Sequence, residues 1–497
     1  MTSVLAFTAP ELDYHAFAPE IVLVSVLLAL LVVDLIFEQR ARAAISMLAA
    51  WGLLGALIPV ITLALDDGAP RSMFGGAYVV DDFALVMKAL FIGAGFLVVL
   101  LSTDYIAEGD FHEAEYYFML VASLSGMAMM ASSRDLISIF IALELLSIPA
   151  YLLAGWRKRD LRGNEAMLKY YLLGVFASAV MLYGMSLLFG VTGSTLLVDI
   201  GRAVDTGAAS LPMVTLAIVF VVAGFAFKVS AVPFHTWAPD TYEGAPTPIT
   251  AFLSVASKAA GFVALISFVY IGFYDRSDVW APLFWTLAAL TMTVGNLIAL
   301  RQTNVVRLLA YSSVAQAGFM LVPLAVAGEA FESSLSAIVT YMLIYTVMNV
   351  GAFGVVMAVA RKTRSAELSS FGGLFEYAPG LTVMLTVFFF ALAGIPPLGG
   401  WYAKFAMFRA VFDAGTPAAV VLGVIAAVNS VIALFYYANV AKEAWMAPVP
   451  DDDRTPVRIP GSLGAALGLC VIGTIVVGVL PQVVGRFGDL ATLALGG

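Results

Sequence analysis

The sequence predicts an all-α polytopic membrane protein of about fourteen transmembrane helices. Of its 497 residues, 62% are hydrophobic and only 12% are charged, whereas an ordinary soluble domain is about a quarter charged. Apolar runs of about 20 residues, the length that crosses a bilayer, recur from end to end. The basic residues also cluster in alternate loops. A soluble fold would need a core far larger than one domain can build.

The runs read, in order, as 18–37, 44–65, 82–103, 115–131, 135–156, 165–190, 212–237, 248–273, 280–300, 304–326, 334–360, 379–408, 418–445 and 461–482. The fourth is short, and the seventh and twelfth are interrupted. One set of alternate loops holds fourteen basic residues: Arg40, Arg42, Arg157, Lys158, Arg159, Arg162, Arg301, Arg307, Arg361, Lys362, Arg364, Lys442, Arg454 and Arg458. The other set holds six: Arg71, Arg134, Arg202, Arg276, Arg409 and Arg486. Cytoplasmic loops are the basic ones, which puts both termini on the periplasmic face of a bacterial inner membrane. The first twenty residues carry Glu11 and Asp13 but no Lys or Arg, which argues against a cleaved secretory signal.

The net charge of −9 comes largely from a few loops, and no basic stripe suggests nucleic acid. Cys470 is the only cysteine, so four-thiolate iron–sulfur sites and paired-cysteine redox motifs are absent. His15, His112 and His235 stand far apart, and none forms a metal-spaced pair. Redox chemistry coupled to this chain is expected in another subunit.

The seventh span contains Gly224-Phe-Ala-Phe-Lys-Val-Ser-Ala-Val-Pro-Phe-His-Thr-Trp237, and the twelfth contains Ala393-Gly-Ile-Pro-Pro-Leu-Gly-Gly-Trp-Tyr-Ala-Lys404. Proline lacks the backbone donor and clashes with the preceding turn, so each helix should unwind locally. At membrane depth such backbone persists only inside protein or along a wet cavity. Pro233 and Trp237, and Pro397 and Trp401, repeat one spacing in spans of opposite direction. Paired breaks of this kind point to inverted repeats and a transport site; the bland reading is two proline kinks.

The five remaining lysines lie within spans. A lysine at the centre of a membrane helix costs roughly 2.5–3.5 kcal/mol, so each needs a partner or a role. Lys228 ends the run Leu211 to Phe227. Glu144 sits mid-span with no basic neighbour within a turn, and Lys228 is its expected partner from another helix. That pair reads either as a static ion pair or as a coupled pair in which the lysine releases its proton when the acid moves; further lysines in other spans favour the second. Lys258 shares a helix face with Ser254 and lies about 15 Å along its helix from Pro248, too deep for easy snorkelling. Lys404 follows the second break and faces either the outer side or, by snorkelling, the interface. Lys169 is expected to pair locally with Glu165, and Lys88 to snorkel beside Asp81 and Asp82. His235, next to the first break, is either a relay or a cap for unwound backbone. Tyr341, Tyr345 and Asn349, and Ser312 with Gln316, recur at four-residue spacing and suggest hydrogen bonds between helices.

Taken together, these residues resemble the antiporter-like membrane subunits of respiratory complex I (NADH–quinone oxidoreductase). The strings Phe227-Lys-Val-Ser-Ala-Val-Pro-Phe-His-Thr-Trp-Ala-Pro-Asp240 and Ala393 to Lys404 are specific for that family, the Glu243-Gly-Ala-Pro-Thr-Pro248 stretch fits it, and the resemblance covers essentially the whole chain. Within the family the chain resembles the N (chain 2) type. Lys258 stands where the L and M types usually have His, Lys404 stands where L has an acid, and the chain stops after its fourteenth span, without the long lateral helix of L.

The resemblance implies two inverted five-helix repeats with broken helices 7 and 12: 115–273 (spans 4–8) and 280–445 (spans 9–13). Residues 1–103 would form spans 1–3 before them, and 461–482 the final span. It also implies Glu144 and Lys228 as a coupled pair, Lys258 as central relay and Lys404 as outlet. The function implied is proton pumping driven by NADH oxidation and quinone reduction. Flavin, iron–sulfur clusters and quinone would reside in partner subunits, with none in this one. Partners would be neighbouring antiporter-like and small membrane subunits and the lipid bilayer. The alternatives are an Mrp-type cation/proton antiporter, the membrane arm of a proton-pumping hydrogenase, and a carrier whose lysines bind an anionic solute.

Overall fold

The computed structural model describes residues 12–37, 42–66, 68–109 and 113–494. Arg40, Glu11 and His112 lie outside the described residues.

The chain is a sequence of helices with one small hairpin. Its first part comprises α1 (Ala18–Phe37), α2 (Arg42–Ala64) and α3 (Asp82–Ala107). Next come α4 (Glu113–Ser132), α5 (Leu136–Ala154), α6 (Leu161–Thr192), α7 (Leu197–Asp205), α8 (Leu211–Lys228), α9 (Trp237–Gly244), α10 (Thr247–Phe252) and α11 (Lys258–Ser267). They are followed by α12 (Ser277–Ala299), α13 (Val305–Ala325), α14 (Phe331–Thr363), α15 (Leu374–Tyr377), α16 (Pro379–Ala393), α17 (Gly400–Ala414), α18 (Pro417–Met446), α19 (Gly461–Val479) and α20 (Gln482–Leu490). Strands β1 (Arg71–Met73) and β2 (Tyr78–Val80) form an antiparallel pair with Arg71 opposite Val80.

Among the described residues, twelve helical segments are long and apolar enough to cross a membrane. They match twelve of the fourteen expected spans. The other two expected spans are also helical. One is α4, which carries Glu113 and Glu115 in its first turn. The other is the α16–α17 pair, of 15 residues each.

Burial sorts these helices into a centre and a rim. The α10–α11 span, α13 and α14 are buried almost throughout, whereas α1, α6, α12 and α18 expose most of their surface. The exposed surface is apolar: Leu168, Leu172, Phe176 and Tyr183 on α6, and Val424, Val428, Val431 and Phe435 on α18. A helix apolar all round suits hydrocarbon. Small residues let neighbours approach closely. A Cβ on Gly126 of α4 would stand 2.5 Å from the Leu146 nitrogen of α5. Side chains from the loops cap the helix starts: Asp81 accepts from Ala84, Asp135 from Ile137 and Ser138, and Asn304 from Val306 and Arg307.

Both predicted breaks are present. α8 stops at Lys228, Ser230 adopts φ +61°, the Val232–Pro233 bond is cis, and the helix restarts at Trp237. α16 stops at Ala393, Gly394 adopts φ +93°, Pro396–Pro397 is cis, and the helix restarts at Gly400. Each break is stitched into the protein. The Val232 nitrogen donates to Thr291 Oγ1 at 2.9 Å, and the Gly399 nitrogen to the Thr474 carbonyl at 2.9 Å. These bonds meet the requirement that backbone polar groups at membrane depth be satisfied.

Lys88 corrects one expectation. It does not snorkel; it is fully buried, with Nζ 2.9 Å from Glu20 Oε1 and donating to Tyr78 Oη at 2.9 Å. α1 supplies the acid and β2 the phenol, so the pair depends on elements remote in sequence. Removing one partner of a buried ion pair costs roughly 3–5 kcal/mol, while an apolar replacement of both is often tolerated. Glu20→Gln should therefore lower the thermal stability of the assembled protein, and Glu20→Met with Lys88→Met should recover most of it. Equal melting of all three proteins would show that the pair contributes nothing.

Candidate functional site

Lys228 closes α8 with its side chain buried against α5 and α6. Its Nζ donates to Ser147 Oγ at 2.8 Å and to Tyr170 Oη at 3.3 Å, and lies 5.8 Å and 5.6 Å from the ring centres of Tyr151 and Tyr170. The expected direct ion pair with Glu144 is not formed: among the described residues no carboxylate lies within 4 Å of Lys228. Ser147, one turn along α5 from Glu144, takes the ammonium instead. Glu144 and Lys228 remain close enough to interact electrostatically, and Glu144 Oε1 is buried without a hydrogen-bond partner.

Trp237 locks this corner. Its indole nitrogen donates to the Phe227 carbonyl at 2.9 Å, the acceptor immediately before Lys228. Its ring stacks on Tyr170, with centres 4.4 Å apart and planes 15° apart. One side chain thus holds both the end of α8 and the phenol that receives Lys228.

Lys258 is equally buried and begins α11 directly after a π-helical turn, Leu253–Ser257. Turns of this kind frequently mark functional positions. Its Nζ donates to the carbonyl and to Oγ of Ser313 on α13, at 2.5 and 2.6 Å. The Tyr242 and Tyr345 hydroxyls lie beside Ser313, and that of Tyr170 lies beside Ser257. The Tyr242, Tyr345 and Ser257 oxygens are buried without a hydrogen-bond partner. Polar atoms in that position suit ordered water.

Lys404 is buried one turn into α17, where its Nζ donates to the Ala393 carbonyl at 2.7 Å and lies 4.8 Å from the Phe319 ring centre. It does not snorkel. Four of the five residues expected to form interhelical hydrogen bonds do so, Ser312 with Tyr437, Tyr341 with Gln316, and Asn349 with Ser254; Tyr345 does not. His235 is half-buried beside the first break, and among the described residues no hydrogen bond joins it to the three lysines. Among the described residues no group of three His, Cys, Asp or Glu side chains could hold a metal.

On the basic-rich face, Lys169 pairs with Glu165 as expected, at 2.7 Å, and also with Asp240 on α9 at 2.7 Å. Asp240 receives Arg307 of α13 at 2.9 Å, and Arg307 also reaches Glu243 at 2.7 Å. Burial pushes the Asp240 carboxyl up, but the hydrogen bonds from Lys169 and Arg307 outweigh it and hold the group below the usual carboxylate range. Its contribution to stability is therefore present above the unfolded carboxylate range and is lost as pH falls through the lower folded value. The cluster ties α6, α9 and α13 together at one end of the break.

The family whose sequence pattern is described as "NADH:quinone oxidoreductase/Mrp antiporter, TM" matches residues 133–430. The chain belongs to this family. It is 38% identical to NADH-quinone oxidoreductase subunit N of Trichlorobacter lovleyi over 483 residues, 97% of each chain. It is also 38% identical to the subunit N of Chloroflexus aggregans over 497 residues, covering 99% of this chain and 100% of that one. Among solved structures, a chain of respiratory complex I from Thermus thermophilus superposes with a TM-score of 0.77 at 30% identity, covering 96% of this chain and all of that one. A chain of the Mrp complex from Dietzia shares the fold, with a TM-score of 0.84 at 20% identity, covering 97% of each chain.

Residue by residue, the sequence pointed to the lysines but missed Ser147, Tyr170 and Ser313 as their holders, and Trp237 as the residue that fixes Tyr170. Ser147 stands three residues from Glu144, and Tyr170 follows Lys169 at once, so proximity along the helix was an available signal. Ser313 could be found only through the packing of α11 on α13. Trp237→Phe keeps the ring contact with Tyr170 but loses the bond to Phe227, a cost of about 1 kcal/mol. It should lower coupled quinone reduction several-fold in isolated membranes. Unchanged rates would show that the Ser230 nitrogen, which also donates to the Phe227 carbonyl at 3.0 Å, is enough to hold it.

Proposed function

We propose that this chain is the N-type proton-translocating membrane subunit of an NADH–quinone oxidoreductase, in a bacterial inner membrane with both termini periplasmic. The single observation that carries the reading is chemical. Three ammonium groups, Lys228, Lys258 and Lys404, are buried among apolar helices and held by serine, tyrosine and backbone oxygens rather than by carboxylates. Lys88, by contrast, is fixed by Glu20. A buried lysine held by neutral acceptors can change its protonation when a nearby charge moves.

In this mechanism, quinone reduction elsewhere in the complex displaces charge along the membrane arm. Movement of Glu144 changes the proton affinity of Lys228 through space, because Ser147 and not Glu144 holds the ammonium. The proton passes by Tyr170 and the unpartnered Ser257 and Tyr242 oxygens, with water between them, to Lys258. From there it reaches Lys404 and leaves on the outer side. His235 could accept a proton at the first break, but no bond joins it to this series. Flavin, iron–sulfur clusters and quinone belong to partner subunits, which include neighbouring antiporter-like and small membrane subunits.

The repeat 115–273 is related to 280–445 by inversion in this reading. Its support is the matched breaks, each with a tryptophan four residues after the proline whose indole caps a carbonyl: Phe227 for Trp237, and Gly478 for Trp401. The 38% identity to N-type subunits over nearly the whole chain favours this assignment over an Mrp antiporter, for which only the fold is shared.

Lys228→Ala should lower NADH–quinone activity about 100-fold, the scale of a lost positioned proton carrier. NADH oxidation by a soluble artificial acceptor should stay intact. Full activity with quinone would count against the relay.

A further inference from the structure

Gln316 lies on α13 one turn beyond Ser313, the acceptor for Lys258, and is buried. Its Oε1 accepts from the Tyr341 hydroxyl at 2.5 Å, and its Nε2 donates to the Leu392 carbonyl at 3.1 Å and to Tyr437 Oη at 3.3 Å. Chemistry fixes the amide's orientation, because a backbone carbonyl can only accept and the nitrogen must face it. Leu392 and Ala393 end α16, where the break leaves carbonyls without helical partners. Gln316 takes the first of these two carbonyls and Lys404 takes the second. The Lys404 ammonium also lies over Phe319, one turn past Gln316 on the same helix.

We infer that Gln316 is a positioning residue for Lys404: a neutral amide that holds the carbonyl end of α16 in place whatever the charge on the lysine. The inference rests on the relay reading above. Carbonyls at a helix end carry partial negative charge and hold an ammonium firmly. If Lys404 were the only donor there, loss of its proton would leave a neutral amine, a weaker donor, and loosen its grip on the end of α16 and on the acceptor to which the lysine must return. The amide keeps that acceptor in register.

Gln316 also interrupts a chain of hydroxyls. Ser312 and Tyr437 share a hydrogen bond, and Tyr437 receives Gln316. A hydroxyl can accept one proton and release another, but an amide N–H only donates a hydrogen bond and keeps its proton. A proton moving from Lys258 to Lys404 therefore passes Gln316 through water rather than across it.

The test uses the whole complex in proteoliposomes, with NADH oxidation by a soluble acceptor as the control for assembly. Gln316→Glu keeps size and shape but, when ionised, cannot donate to Leu392; Gln316→Leu removes both donors. Each should lower coupled proton pumping about tenfold, the scale of a buried carbonyl left unsatisfied. Combined with Lys404→Ala, each should add no further loss, because Gln316 acts through the lysine. Wild-type pumping in both single variants, or losses that multiply in the double variants, would overturn the inference while leaving the relay standing. Full pumping in Lys404→Ala alone would bring down the relay itself and the positioning role with it.

Discussion

The structure depends on the cost of placing an ammonium group among hydrocarbon side chains. That cost is met in two ways here. At Lys88 a carboxylate from α1 and a phenol from β2 surround the charge and fix it. At Lys228, Lys258 and Lys404 the acceptors are neutral; Lys228 and Lys404 lie at the two breaks, and Lys258 directly follows a π-helical turn. A charge with a bound counter-charge is held in one state. A charge held only by dipoles has no counter-charge to fix it.

The breaks serve the same constraint. Within an unbroken helix each carbonyl already accepts from the nitrogen four residues on, so a lysine can only share it, as Lys258 shares that of Ser313. Interrupting α16 frees the Leu392 and Ala393 carbonyls, which Gln316 and Lys404 take. Interrupting the seventh span leaves the Phe227 carbonyl to the Ser230 nitrogen and the Trp237 indole, and leaves Lys228 at a helix end facing Tyr170. At the second break, then, the prolines create the acceptor that a lysine uses, while at the first the lysine binds side-chain hydroxyls instead.

A connected set of contacts links the two halves. α6 carries Lys169 and Tyr170, α9 carries Trp237 and Asp240, and α13 carries Arg307, Ser313 and Gln316. A shift of α9 at the basic face would be felt at Tyr170 through the Trp237 stack and at α13 through Asp240 and Arg307. The half-exposed ion pairs are individually weak, so their value lies in register rather than in stability.

Composition and spacing by themselves determined the membrane fold, the two breaks and the lysines within spans; the family came from the resemblance of the motif strings around the breaks. These are local properties: a run of apolar residues, a proline with its neighbours, a charge inside a span. The sequence also placed the Lys169–Glu165 pair, because four residues bring two side chains onto one helix face. Only the tertiary structure decided which partner each buried charge has. Glu144 looked like the counter-ion of Lys228, yet Ser147 holds it; Lys88 looked able to reach water, yet Glu20, 68 positions earlier, encloses it. The physical reason is that a membrane helix writes its depth and direction into its own sequence, while its rotation and neighbours follow from packing among several helices at once.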